Sequence, residues 1–108
     1  MNIKLSKSGG VREALAVEAV ASAAGVGVAM GCMTETRLGL TAAAHVVCAR
    51  RAFRFADLDG ADFLAEDPIT GGMTIDGKGE VRLTDDPGLG VDVDPAFLRR
   101  FPCVVVAE

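Results

Sequence analysis

Three short polar stretches, each behind an apolar run, hold the residues of this sequence best suited to chemistry. They are Lys4 in NIKLSKSGG, Cys32 and Met33 in GCMTE, and Asp57 and Asp59 in FADLDG. In an extended chain alternate residues share a face, so Asp57 and Asp59 project together while Leu58 points away. Two carboxylates so placed repel each other unless something positive comes between them. A metal ion, a protein cation such as Arg51 or Arg54, or the cationic part of a ligand would each serve. Lys4 can exchange a proton with a carbon acid if burial or nearby positive charge brings its pKa toward neutrality; otherwise it is a strand-edge charge.

The elements that must position these residues follow from the apolar pattern. NIKLSK reads as a first strand, stopped by Gly9 and Gly10. VREALAVEAVASAA then reads as a helix, with Val11, Leu15, Val17 and residues 21–24 on its apolar side and Arg12, Glu13 and Glu18 on its wet side. Gly25 suits a left-handed stop to that helix. GVGVAMG is a buried strand, Thr34 or Thr36 caps a second helix over TRLGLTAAAHVVCAR, and RAFRFADLD is a third strand.

Strand, helix, strand, helix, strand indicates an α/β fold with parallel strands, compatible with a (β/α)8 barrel or an open doubly wound sheet. Functional residues of such folds gather at the carboxyl ends of the strands, where all three polar stretches fall. Residues 1–66 form this unit. Residues 67–108 form a second segment, rich in glycine, proline and aspartate: a hairpin of Met73–Ile75 and Val81–Leu83 around Gly77-Lys78-Gly79, a short helix from Asp94-Pro95, and an apolar tail. Three strands and two helices leave two sheet edges and one face bare, which parallel sheets seldom tolerate. The pattern therefore predicts a piece of something larger, prone to self-association.

The 108 residues suit one small domain, and the net charge of −4, without a basic stripe or aromatic platform, argues against nucleic-acid binding. Three widely spaced cysteines, Cys32, Cys48 and Cys103, form no CxxC pair, which predicts reduced thiols and no zinc site. Glu18 and several glycines interrupt the apolar stretches, so no membrane span is expected, and the first residues lack a secretory h-region. A cytoplasmic protein is expected. Gly9-Gly10 comes without a P-loop lysine, and the glycines of GVGVAMG have the wrong offsets for a dinucleotide turn. His45, mid-helix among Ala44, Val46 and Val47, reads as structural. Glu35 reads as a helix-start charge or an orienting group. Lys7, three residues after Lys4, reads as structural, on the opposite strand face or in the loop.

Taken in this order, the three segments resemble the last third of an enolase-superfamily barrel. The likeness is strongest to the dipeptide epimerases of its muconate-lactonizing subgroup, which includes L-Ala-D/L-Glu epimerases. NIKLSKSGG is similar to the end of the sixth barrel strand, GCMTE to the seventh and DLDG to the eighth. GGMTIDGKGEVRLTDDPGLGVDVD is similar to the return to the capping domain. The resemblance implies a partial (β/α)8 barrel made of strands 6–8. It implies that Lys4 is the acid/base lysine acting at the substrate α-carbon, that Asp57 and Asp59 hold the α-ammonium group of a dipeptide, and that Cys32 and Met33 wall the pocket. It also implies Mg²⁺, with carboxylate ligands on the third to fifth strands, and a second lysine on the other face of the substrate. None of these is in this sequence. By this reading the chain is an enzyme part needing a partner that carries the first five strands, and is inactive alone. The competing reading is a degenerate, non-catalytic descendant that self-associates.

Overall fold

The computed structural model describes residues 1–104. Strands β1 (Asn2–Ile3), β2 (Val28–Met30) and β3 (Phe53–Ala56) form a parallel sheet in the order β1-β2-β3. A single-turn helix α1 (Leu5–Ser8) and helix α2 (Val11–Ala23) join β1 to β2, and helix α3 (Arg37–Ala49) joins β2 to β3. Ile3, Val28, Met30 and Phe53 form one core with Ala14 and Ala21 of α2 and Leu40, Ala43, Ala44 and Val46 of α3. Both helices therefore cover the same face of the sheet, as same-handed crossovers between sequential neighbours require. A doubly wound sheet would carry helices on both faces.

The strands are shorter than their apolar runs. The expected strand over NIKLSK ends at Ile3, because Ser8 Oγ and the N–H groups of Lys7 and Ser8 turn back to the Lys4 carbonyl and close α1. Lys7 accordingly sits in a helical turn, not on a strand. Helix α2 ends where Gly25 takes a φ of +71°, as expected. Its buried stripe differs from expectation. Glu18 is 1 % exposed, whereas Val11, Val17 and Val20 are open to solvent. Glu18 tolerates burial because Ser22 Oγ donates to it at 2.8 Å and the guanidinium of Arg50, just past the end of α3, lies 2.7 Å away. Its cationic partner lies outside its own helix, so helical periodicity alone assigns it to water.

The register between β2 and β3 slips once. Val28 pairs with Phe53 and Ala29 with Phe55, so Arg54 is an extra residue in β3. The slip lets Phe53 sit in the core and sends Phe55, 75 % exposed, to the opposite face. Asn2, Ala29 and Phe55 then form a cross-strand row on the face that no helix covers.

The segment after residue 66 shares this core through Met73, and Ile69 is buried as well. Strand β4 (Ile69–Gly71) pairs antiparallel with β7 (Val91–Val93), a pairing the sequence did not announce. The expected hairpin forms between β5 (Thr74–Ile75) and β6 (Val81–Arg82). Helix α4 (Pro95–Leu98) is capped by Asp94, whose carboxylate accepts the Ala96 N–H, a bond worth about 1 kcal/mol. Hydrogen bonds at Arg37 and Thr41 fix the segment to α3. Thr41 Oγ1 accepts the Met73 N–H at 3.0 Å, and the Asp67 carboxylate takes the Arg37 Nε–H at 2.9 Å. The end of the expected tail, residues 105–108, lies outside the described residues.

Burial raises the pKa of Asp67, but bonds from the Arg37 guanidinium and from the Arg37 and Ile69 N–H groups outweigh it and hold the carboxyl below its usual range. The hydroxyl of Ser22, against burial and with help from Arg50, does the same for Glu18. A carboxyl lowered on folding adds stability above its unfolded pKa, about 4, and loses it as pH falls through the folded value. The urea midpoint should hold between pH 7 and 5 and fall below about pH 4. Asp67→Asn should cost about 2 kcal/mol at pH 7, the scale of a lost charge-assisted bond, and make the acid fall shallower. An unchanged acid profile in that variant would contradict the assignment.

Candidate functional site

The carboxyl ends of β1, β2 and β3 meet around one hollow of about 260 Å³, bordered by Lys4, Cys32, Met33, Asp57, Asp59 and Phe63. Lys4 follows Ile3 directly, and alternation carries it to the bare face of the sheet. Its Nζ donates to the Cys32 carbonyl oxygen just beyond β2. The Asp57 N–H donates to the Met30 carbonyl at 2.8 Å and so continues the ladder one residue past β3. Asp57, two residues after Phe55, thus reaches the same bare face.

The DLD segment itself is not strand. Chain extension stops at Ala56, and Asp59 has φ −86° and ψ 3°, caught at the start of a 3₁₀ turn over Gly60–Phe63. The expected division still holds among the side chains. Leu58 is 3 % exposed and packs into the core, while both aspartates are exposed and border the hollow. Among the described residues no lysine, arginine or histidine forms an ion pair with either carboxylate, so Arg51 and Arg54 do not neutralise them.

Gly60 is what lets the second and third strand ends come so close. A Cβ at this position would run into the Met33 carbonyl oxygen and come within 3.1 Å of Cys32 Sγ. The buried Cys32 lies 4.0 Å from Asp59 Oδ1 through its sulfur. Burial pushes its pKa up, the charges of Asp57, Asp59 and Glu35 push it further, and the Gly60 backbone only partly offsets them. A thiol kept protonated suits a pocket wall and not a nucleophile. Glu35 turns back on its own loop, accepting the Met33 N–H at 3.0 Å, and so shapes the GCMTE turn. His45 lies on α3, away from this hollow.

Sequence reasoning passed over Phe63. It is 69 % exposed at the rim of the hollow, one 3₁₀ turn beyond Asp59. Its place at the rim depends on the 3₁₀ turn that follows Asp59, which the local sequence does not announce.

The hollow can hold a cation that brings its own hydrogen-bond donors, such as an ammonium group between two carboxylates. It does not suit Mg²⁺, which asks for near-octahedral oxygen ligation. Among the described residues no three His, Cys, Asp or Glu side chains stand together as a metal site. No helix among them is long and apolar enough to cross a membrane.

The Enolase C-terminal domain-like family matches residues 1–97. A hydrophobic dipeptide epimerase from Enterococcus faecalis is 41 % identical over 92 residues, 84 % of this chain and 26 % of that protein. The substrate-liganded L-Ala-D/L-Glu epimerase of Bacillus subtilis superposes with a TM-score of 0.78 at 41 % identity, covering 83 % of this chain and 25 % of that one. The Methylococcus capsulatus dipeptide epimerase, complexed with Mg and L-Arg-D-Lys, gives 0.79 at 42 % identity, again over 83 % and 25 %. This chain thus spans about a quarter of the length of the relatives it matches.

The three thiols give a direct check. An aromatic disulfide reagent at pH 7 should modify Cys48 and Cys103 quickly and Cys32 only slowly, all three reacting at once in denaturant. Fast modification of Cys32 in the folded chain would contradict a buried, protonated thiol.

Proposed function

The chain belongs to the Enolase C-terminal domain-like family, and we propose that it supplies the C-terminal part of a dipeptide-epimerase-type (β/α)8 barrel, β1 to β3 standing as strands 6–8. One observation carries this reading. Lys4, Asp57 and Asp59 share one hollow at the carboxyl ends of three parallel strands, in a chain whose relatives are dipeptide epimerases. The singly wound sheet with a bare inner face supports the barrel arrangement.

In this reading the Asp57 and Asp59 carboxylates accept charge-assisted hydrogen bonds from the α-ammonium of a dipeptide and fix its orientation. Lys4 moves a proton at the substrate α-carbon, on the face it borders. Cys32 and Met33 close one wall. A single lysine returns the proton to the face it left, so inversion needs a second group on the opposite face, and the described residues hold none bordering the hollow. With no Mg²⁺ site among them, the described residues also lack a means to stabilise the carbanion that proton removal creates. The chain alone is therefore an anchor and half of a proton relay, completed by a partner that carries the rest of the barrel, in a cytoplasmic setting.

The test uses the purified chain. L-Ala-L-Glu should bind with a dissociation constant in the millimolar range, about −4 kcal/mol, because half the pocket is open. N-acetylation of the peptide, or Asp59→Asn, should weaken binding about tenfold, and added Mg²⁺ should yield no turnover. Equal binding of free and N-acetylated peptide would overturn the anchor. Turnover by the chain alone would overturn the division of labour.

A second reading, a non-catalytic descendant that self-associates, is favoured by the bare row Asn2–Ala29–Phe55 and by the two sheet edges that β1 and β3 leave unpaired among the described residues. Light scattering should report a species heavier than the 11.1 kDa chain. A monodisperse monomer would contradict both self-association and the bare inner face.

A further inference from the structure

We propose that Phe63, with Met33 on the border of the same hollow, selects an apolar side chain on the substrate residue that carries the free α-ammonium group. The inference rests on the dipeptide reading above and adds to it a specificity-determining residue. Phe63 closes the 3₁₀ turn that Asp59 begins, with the Asp62 N–H on the Asp59 carbonyl at 2.9 Å and the Leu64 N–H on the Ala61 carbonyl at 3.1 Å. Its backbone is therefore tied to that of the acidic anchor. The ring is 69 % exposed and Met33 is 44 % exposed, so the hollow carries two large apolar groups at its edge beside two carboxylates.

The chemistry of the ligand decides what meets them. In an α-amino acid the ammonium and the side chain branch from the same carbon. An ammonium fixed by Asp57 and Asp59 therefore holds its own side chain within reach of whatever borders those carboxylates. Apolar surface there gains by covering an apolar side chain, and it gains nothing from glycine. The more distant second residue, whose α-carbon Lys4 serves, lies further from this wall. Because the wall is one-sided, discrimination should fall below the tens-fold of an enclosed apolar pocket, at about fivefold.

The experiment is an NMR titration of the 108-residue chain with Gly-L-Glu, L-Leu-L-Glu and N-acetyl-L-Leu-L-Glu, repeated on Phe63→Ala and Phe63→Leu. L-Leu-L-Glu should bind about fivefold more tightly than Gly-L-Glu. The ratio should fall to about one in Phe63→Ala and return largely in Phe63→Leu. An unchanged ratio in Phe63→Ala, or an equal loss for both peptides, overturns the assignment while leaving the anchor intact. Equal binding of the N-acetylated peptide, or no binding by any peptide, removes the anchor and this inference with it. Phe63→Gln, which keeps bulk but removes the apolar face, should likewise bring the ratio to about one, and an unchanged ratio there overturns the assignment should the alanine variant lose its fold.

Discussion

The extra residue in β3 governs where the chemistry stands. Side chains along a strand alternate between faces, so inserting Arg54 between the residues paired with Val28 and Ala29 reverses the parity of everything after it. Phe53 keeps its place under the helices, while Phe55 and then Asp57 emerge on the bare face where Lys4 also lies. Without the slip, Asp57 would turn toward the helices that cover Phe53, and its charge would need a buried partner. Burying an unpaired carboxylate costs several kcal/mol or more, so the register slip and the acidic site stand or fall together.

A second constraint acts one layer out. The loops after β2 and β3 approach so closely that only a hydrogen fits at Gly60, and Cys32 fills the seam beneath. That approach brings the pocket wall and the anchor into one hollow. The C-terminal segment steadies the arrangement from behind through Arg37, Asp67, Thr41 and Met73, none of which borders the hollow. A site built at an edge this bare depends on such bracing, because its open side receives no packing from the described residues.

Both long helices, the parallel strand order, the C-terminal hairpin and the Asp94 cap could be read from periodicity and turn chemistry, which are local signals. What escaped depends on partners distant in sequence. Glu18 reads as solvated until Arg50 is brought across from just past the end of α3. The pairing of β4 with β7 joins residues about twenty positions apart with little apolar alternation to announce it. The slip at Arg54 leaves no trace in composition. Lys4, Cys32, Met33, Asp57 and Asp59 were legible because polar residues ending apolar strands stand out, and the family resemblance joined them into one set. Phe63 was not, since its exposure depends on a 3₁₀ turn that only the fold reveals.

The relatives are a little over three times as long as this chain, and their likeness makes the shared rim of Lys4, Asp57 and Asp59 the point on which the functional account turns. A crystal structure of the chain soaked with L-Ala-L-Glu tests it most directly. The account predicts the ammonium nitrogen about 3 Å from both carboxylates, at hydrogen-bond distance, with the peptide lying across the hollow toward Lys4. A dipeptide bound elsewhere, or density that places Lys4 and Asp57 at opposite ends of the sheet, would contradict it.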